Sequence, residues 1–202
     1  ITNSVSSGAS IGMTNLQSKS SAPLITSVSS STPNGKYNAG KNIVISLNFN
    51  KAVNVDISSG SPTIALETGA IDRFAIFSSV DNSTLYFTYT VQSGDATTDL
   101  DIKSNNSLLL NGATIRSVDN VSGILFMPFG AATGSLSSSK AIVVDTLAPS
   151  VNSFTLSDTA LKAGDNATVT LVFSEAVIHF NSDDDITVDN GTLSTMTSSD
   201  NI

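Results

Sequence analysis

Carboxylates in predicted turns are the side chains of this chain that could do chemistry. They concentrate in two short segments, QSGDATTDLDI and FNSDDDIT, and at or just after the ends of two apolar strands. Calcium takes about six to eight oxygen ligands at flexible geometry, which loop carboxylates and backbone carbonyls can supply. The candidate metal ligands are Asp95, Asp99, Asp101, Asp145, Glu175 and Asp183, with Asp184 and Asp185 beside the last of them. No DxDxDG loop is present, and acidic residues in turns also form Asx turns, so both interpretations stay open.

Residues for covalent catalysis are scarce in the sequence. His179 is the single histidine, and Ser174 precedes it with acids nearby, which gives the inventory of a Ser/His/Asp triad without its arrangement. The chain contains no cysteine, which excludes a thiolate nucleophile, a thiolate metal site and a disulfide framework. Glycoside cleavage by paired carboxylates needs a cleft that a narrow β-sandwich does not offer. The sequence therefore predicts a protein that is not an enzyme.

The net charge argues against two classes of partner. The chain carries 17 acidic and 9 basic residues, a net charge of −8, which repels nucleic-acid phosphates and anionic lipid surfaces. No apolar run approaches the roughly 18 to 20 residues that a membrane-spanning helix requires. We therefore expect neither nucleic-acid binding nor membrane insertion.

The elements that must position these acids are β-strands. Ile43, Ile45, Leu47 and Phe49 alternate with more polar residues, which is the period-two pattern of a strand with one buried face. The segments PTIALET, DRFAIFSSV, STLYFTYTV and KAIVVD continue in the same manner, with LLLN, ATIRS and GILFMP as shorter apolar pieces. The pattern predicts an all-β, antiparallel sandwich. Its predicted core includes Ile45, Leu47, Phe49, Leu85, Phe87 and Val143.

The opening segment of this sandwich occurs twice in the chain. Residues 22–53 and 148–177 share the start AP, the end AV and a glycine at the same distance from the final strand, at Gly40 and Gly164. Such a shared register indicates a tandem array of one module. We therefore divide the chain into a flexible N-terminal arm or linker at residues 1–21, a complete sandwich at 22–146 and an incomplete second module at 147–202. Strands without their later partners leave an apolar face open, so we expect the natural protein to continue.

The strings SVSSSTPNGKYNAGKNIVISLNFNKAV, LYFTYTVQSGDATTDLDI and SLSSSKAIVVDTLAPSV resemble the bacterial Ig-like repeats of large secreted surface proteins and adhesins. APSVNSFTLSDTALKAGDNATVTLVFSEAV resembles a related module of the same kind. The resemblance implies Ig-like β-sandwiches in tandem, located outside a bacterial cell, that hold a terminal binding domain away from the envelope. It also implies frequent loading with calcium.

In the Ig-like strand order, the acidic residues should meet at the junction of the two modules. Glu175 follows the second strand of the later module and should lie beside Asp145, while the QSGDATTDLDI turn should face the same junction. Asp183 could join them because its turn lies at the same end. We therefore expect one calcium ion at the junction, with neighbouring Ig-like modules, and other subunits of a fibre, as the partners.

The predicted function is that of a structural spacer in a bacterial surface or secreted fibre. Two alternatives remain open: a module whose loops bind a glycan, a host protein or a sister cell, and an accessory domain of a secreted depolymerase. Binding loops are typically rich in Tyr, Trp and Arg, whereas this chain has no Trp and only two arginines, Arg73 and Arg116. This composition favours the spacer.

Overall fold

A computed structural model describes residues 21–178 and 180–198 of the chain. The chain divides into two compact units, Ile1–Thr146 and Leu147–Ile202. This division falls inside the DTLAPSV segment. Apart from Ser21, the arm predicted at residues 1–21 lies outside the described residues.

The first unit is built from short and medium-length β-strands. In chain order they are β1 (Ile25–Ser30), β2 (Gly35–Tyr37), β3 (Asn42–Phe49), β4 (Val53–Asp56), β5 (Thr63–Glu67), β6 (Arg73–Asp81), β7 (Thr84–Thr90), β8 (Ala96–Thr97), β9 (Asp101–Ile102), β10 (Leu108–Leu109), β11 (Thr114–Ser117) and β12 (Ile142–Asp145). The main sheet has the order β1-β3-β7-β6-β5-β10, with β9 also paired to β5. Two smaller sheets have the orders β11-β4 and β2-β12-β8. The paired strands are antiparallel except β2 and β12, which run parallel.

The buried faces of these sheets share one hydrophobic core. Ile45, Leu47, Leu85 and Phe87 are fully buried and Phe49 is nearly so, as the period-two pattern predicts. The two small sheets contribute to the same core through residues such as Ile115 and Val144, which are also buried. The first unit is therefore the all-β, antiparallel Ig-like β-sandwich predicted from the sequence.

Two details of the predicted strands are wrong. Val143 is only partly buried, whereas its neighbours Ile142 and Val144 are buried, so the phase of β12 is shifted by one residue. The run IVV is apolar throughout and gives no alternation from which to choose the buried face. The segment GILFMP is not a regular strand; it makes one isolated bridge, between Ile124 and Leu24, and buries Met127.

A short helix, α1 (Leu136–Ser139), ends the polar segment GAATGSLSSS. Ser135 caps it by accepting a hydrogen bond from the amide of Ser138 at 3.1 Å, which satisfies one of the unpaired amides of a helix start. Leu136 anchors it by entering the core. Within the described residues, no helix is long and apolar enough to cross a membrane.

Two loops of the first unit cross in close contact, and glycines make the crossing possible. A Cβ atom on Gly60 would lie 1.7 Å from the carbonyl oxygen of Asn111, and one on Gly112 would lie 2.3 Å from that of Ser59. Neither distance is compatible with a side chain. Glycine at both positions therefore allows the turn after β4 and the turn after β10 to lie in contact.

The second unit contains a β-hairpin, β13 (Val151–Leu156) with β14 (Val169–Phe173), followed by the one-turn helix α2 (Ser182–Asp185). The hairpin is antiparallel, and its register shifts between Val151 and Ser153. The pairing of β1 with β3 has the same shift between Ile25 and Ser27. The repeated sequence segments therefore adopt the same local geometry.

Candidate functional site

Asp95 lies at the centre of a buried polar network in the first unit. Its side chain is 1% exposed. One carboxylate oxygen accepts a hydrogen bond from Nε of Arg73 at 2.8 Å. The other accepts from the hydroxyl of Tyr89 at 2.6 Å and from the amide of Gln92 at 2.9 Å. Both oxygens are thus engaged inside the fold.

The charges of this network reinforce one another. Burial alone would raise the pKa of Asp95, but hydrogen bonds from Tyr89, Arg73 and the Gln92 amide hold it below its ordinary value. Burial, together with the neighbouring carboxylate, raises the pKa of Tyr89 well above its usual range. Asp95 is therefore ionised at neutral pH, with Tyr89 as a neutral donor to it. This arrangement stabilises the turn rather than offering a carboxylate to a metal.

Asp101 has a similar structural role at the start of β9. Its buried carboxylate accepts three hydrogen bonds. The donors are the amide of Ile102 at 2.8 Å, the amide of Gly130 at 2.9 Å and the hydroxyl of Ser137 at 2.8 Å. These bonds fix the loop that leads into α1. Asp101 thus ties one loop to the main sheet.

Asp99 lies on the surface next to Asp101. Partial burial of its carboxyl, and then the charge of Asp101, raise the pKa of Asp99 above its ordinary value. Asp99 and Asp101 line an open depression of about 530 Å³. Glu67, Lys103 and Phe129 are also in its lining. However, in the described part of the chain no three or more Asp, Glu, His or Cys side chains are arranged to hold a metal ion.

The depression also contains a lysine that pairs with a carboxylate. Lys103 donates to Asp72. This hydrogen bond and the charge of Asp72 raise the pKa of Lys103. The side chain is therefore a cation and not the neutral amine that nucleophilic chemistry requires.

Asp145 lies close to the turn that carries Asp95. Strand β8 pairs with β12, so that Ala96 is opposite Asp145. Thr146 donates to the backbone carbonyl of Asp95 at 2.9 Å and accepts from the amide of Gly94 at 2.9 Å. The structure thus places the QSGDATT turn beside the end of the last strand, although the carboxylate of Asp95 itself points into the network above.

The remaining candidates lie in the second unit. Glu175 is partly buried just after β14, and Asp183 belongs to α2, with its side chain outside the described residues. Asn181 contacts two acids of α2. Its backbone amide donates to Asp185 at 2.8 Å, and its side-chain amide donates to Asp184 at 3.1 Å. The predicted convergence of acids from both units on one calcium ion stays a prediction.

Within the described residues, no contact places Ser174 in a catalytic triad. Ser174 accepts a hydrogen bond from the backbone amide of Ser150 at 2.9 Å, which closes the end of the β13–β14 hairpin. His179 lies outside the described residues. The hydroxyl of Ser174 thus has a structural partner of its own.

Sequence reasoning missed the contact between the second and last strands of the first unit, β2 and β12. β2 and β12 run parallel, with Gly35 opposite Ile142 and Tyr37 opposite Val144. The side chain of Asn34 accepts from the Ala141 amide at 3.1 Å. We call this the terminal clamp; it comprises β2, β12 and the side chains of Asn34, Lys36 and Asp145. In the sequence, only the opposite charges of Lys36 and Asp145 hinted at it.

An ion pair adds to the terminal clamp. Nζ of Lys36 lies 2.9 Å from a carboxylate oxygen of Asp145, and both side chains are partly exposed. The backbone amide of Gly35 also donates to the carbonyl of Ala141 at 3.0 Å. Backbone pairing, a side-chain hydrogen bond and an ion pair thus join β2 to the last strand of the unit.

Residues 145–202 match a family model described as a bacterial Ig-like domain. Searches of curated proteins and of solved structures found no match. The resemblance noted in the sequence is therefore confirmed for this part of the chain, and the all-β sandwich of the first unit agrees with it. A domain of this type suggests a module of a surface protein, and such domains are typically non-catalytic.

Proposed function

We propose that this chain is a structural spacer of a bacterial surface or secreted protein, and that its first unit transmits tension between its neighbours. The terminal clamp is the observation that supports this function most directly. It joins β2, the second strand of the sandwich, to β12, the strand through which the chain leaves it. A force applied to the two ends of the unit loads this contact once β1, which precedes β2 and pairs with β3, has been pulled away.

The parallel direction of the two strands determines how the clamp is loaded. Tension pulls β2 towards its N-terminal end and β12 towards its C-terminal end. In a parallel pair these pulls are opposite and lie along the strands, so all hydrogen bonds are sheared together. An antiparallel pair of terminal strands would instead open one bond at a time. Forced unfolding depends on the unfolding rate, which such a shared load keeps low.

The use of the buried acids agrees with a structural role. Asp95 orders the turn that holds Thr146, the last residue of the first unit, through the backbone of Gly94 and Asp95. Asp101 holds the loop before α1. These carboxylates stabilise the points where the chain leaves or crosses the sandwich.

Single-molecule stretching of the 202-residue chain tests the clamp. The sequence has no cysteine, so one cysteine added at each end gives unique handles. We expect the double variant Asn34→Ala with Lys36→Ala to lose about 1 to 2 kcal/mol, from one hydrogen bond and a partly exposed ion pair. If shear of the clamp is the barrier, this loss speeds unfolding about five- to thirty-fold, with a lower unfolding force.

Lys41→Ala is the matched control, because Lys41 is an exposed lysine outside the clamp. The first unit is recognised by its length: unfolding of roughly 120 residues releases about 400 Å of chain at about 3.4 Å per residue. A double variant that unfolds at the force of the wild type and of Lys41→Ala would contradict the proposed path of tension.

Calcium at the junction is a further part of this proposal. Three internal donors engage each of the Asp95 and Asp101 carboxylates. Asp99, Asp145 and Glu175 are therefore the ligands to test first, and calcium would have to displace Lys36 from Asp145. We expect calcium to bind with a Kd of about 0.1 to 1 mM, as in other extracellular modules, and to raise the Tm. Calorimetric titration of the chain should show this binding, with Glu175→Gln weakening it and Asp119→Asn leaving it unchanged. No heat of binding at millimolar calcium would remove the ion from the proposal.

The alternative of a binding module is favoured by one surface feature. Phe126 and Phe129 are 58% and 44% exposed in the segment before α1. Exposed aromatic rings mark contact surfaces more often than other exposed residues do. A glycan or protein that protects these two rings from solvent would favour this alternative over the spacer.

A further inference from the structure

The hairpin of the second unit repeats the first hairpin of the first unit down to individual hydrogen bonds. Val28 is opposite Leu47 in the first unit, and Phe154 is opposite Leu171 in the second. The amide of Asn50 donates to the carbonyl of Leu24 at 3.0 Å, and the amide of Ser174 donates to that of Ser150 at 2.7 Å. Strand β13 therefore corresponds to β1, and β14 corresponds to β3.

The corresponding residues differ sharply in burial. Ile25 and Val28 are 5% and 0% exposed in the first unit, whereas Val151 and Phe154 are 55% and 56% exposed in the second. The local backbone is the same, so the difference comes from what covers it. Large apolar surfaces of this kind mark sites of interaction when they are contiguous.

In the first unit, β7 completes the sheet beside β3. It pairs antiparallel with β3, with Leu85 opposite Leu47 and Phe87 opposite Ile45. The inward side chains of β7 are Leu85, Phe87 and Tyr89, and all three are buried. The residues between them are Tyr86 and Thr88, which lie on the outer face and are only partly buried.

The second unit has a groove of mixed polarity at the equivalent face of β14, with apolar side chains on the β14 side. The groove has a volume of about 800 Å³; Val169, Leu171 and Phe173 line one side, and residues between 177 and 198 of the same unit line the other. These residues correspond to Ile45, Leu47 and Phe49, the residues of β3 that pack in the core of the first unit. Within the described residues, β14 pairs with β13 alone.

We propose that this groove, with the adjacent edge of β14, binds an extended strand of the β7 type. Such a strand alternates large apolar residues with polar or partly polar ones, as STLYFTYTV does. Added antiparallel to β14, it would place a leucine opposite Leu171 and a phenylalanine opposite Val169, and its backbone would pair with the open edge. This inference concerns the second unit and does not depend on the proposed function of the first.

A synthetic peptide of residues 83–91, with lysines added at both ends for solubility, tests the inference on the full chain. We expect saturable binding by fluorescence anisotropy, and hydrogen exchange slowed at least tenfold at the amides of β14. The control peptide exchanges Leu85 with Tyr86 and Phe87 with Thr88, which keeps the composition but reverses the inward face. It should bind at least tenfold more weakly.

Two substitutions at neighbouring positions of β14 complete the test. Leu171→Glu places a charge in the groove and should abolish binding, whereas Thr170→Glu lies on the opposite face and should leave it intact. Because Leu171→Glu could unfold the hairpin, Leu171→Ala provides a milder variant, for which we expect binding several-fold weaker.

Three results would overturn the inference: no binding of the peptide, equal binding of both peptides, or binding that is insensitive to both changes at Leu171. Sedimentation of the chain without peptide tests whether a second copy of the chain occupies the groove instead. A dimer that Leu171→Glu dissociates, together with no binding of peptide, would mean that a second copy covers the groove.

Discussion

At the scale of single residues, a carboxylate's role depends on what faces it across the sheet. Asp95 accepts from Arg73, a residue 22 positions away in the chain and on another strand. Removal of one partner from a buried charged pair is destabilising because the other charge stays behind without compensation. Asp95 thus contributes to stability through contacts that no local sequence pattern displays.

This contact leads to a prediction about acid stability. The pKa of Asp95 is lower in the folded state than its ordinary value of about 3.9, so its stabilising effect is complete above about pH 4 to 5 and is lost as pH falls through the folded-state pKa. We expect Asp95→Asn to lower the stability of the first unit at pH 7 by about 1 to 3 kcal/mol. The variant should also lose less stability than the wild type between pH 5 and pH 2.

Tyrosine fluorescence during urea unfolding can measure this effect in the full chain. All three tyrosines, Tyr37, Tyr86 and Tyr89, belong to the first unit, and the chain has no tryptophan, so the signal reports that unit alone. Asp119→Asn, at an exposed position, is the control. Wild-type stability of Asp95→Asn at pH 7, or an equally steep loss in acid, would show that the network has little energetic weight.

The acidic residues also show which property of a single residue could not be predicted from the sequence. Composition and turn positions indicated Asp95 and Asp101 as candidate calcium ligands, and the structure gives both carboxylates hydrogen-bond donors from within the first unit. Composition and turn positions could not distinguish an inward carboxylate from an outward one. That choice depends on donors from distant segments, such as Gly130 and Ser137 for Asp101.

At the scale of elements, long strands with regular alternation were predictable and short ones were not. β3 and β7 have one apolar residue in every two, which fixes both their existence and their buried face. β2 has three residues and gives no period. Its partner is also distant, since Asn34 and Ala141 are 107 residues apart. The clamp on which the proposed function rests therefore had no sequence signal beyond the opposite charges of Lys36 and Asp145.

The crossing of two loops gives a prediction at the same scale. Gly112 and Gly94 have nearly equal φ angles of +95° and +90°, but a Cβ at Gly112 would lie 2.3 Å from the Ser59 carbonyl, whereas one at Gly94 meets nothing within 4 Å. Both substitutions by alanine should cost the strain of a positive φ, about 1 to 2 kcal/mol. Gly112→Ala should cost about 1 to 3 kcal/mol more, because the backbone has to move.

The difference between these two variants isolates the steric term. Tyrosine fluorescence again follows the first unit during urea unfolding. Equal losses of stability in Gly112→Ala and Gly94→Ala would mean that the loops separate easily and that their contact is not a constraint of the fold.

At the scale of the whole molecule, the chain contains one hairpin geometry in two surroundings. In the first unit, β1 and β3 are covered by the rest of a sandwich. In the second, β13 and β14 have the same pairing, but the apolar residues of β13 are exposed and those of β14 are only partly buried. The repeat itself was readable from the sequence because spacing is a local property. The consequences for stability were not, because burial depends on elements outside the repeat.

Hydrogen exchange on the full chain should separate these two surroundings. Each fully buried Val or Phe side chain contributes about 1.5 to 3 kcal/mol, and amides exchange through the local opening that costs least. We therefore expect the amides of β13 and β14 to exchange at least roughly a hundredfold faster than those of β1 and β3, since a factor of ten corresponds to about 1.4 kcal/mol. The turn amides of Lys41 and Asp165, which make equivalent bonds to Asn38 and Lys162, serve as an internal reference and should differ little. Equal protection of the two hairpins would mean that the pairing alone stabilises them, and that the covering strands of the first unit add nothing.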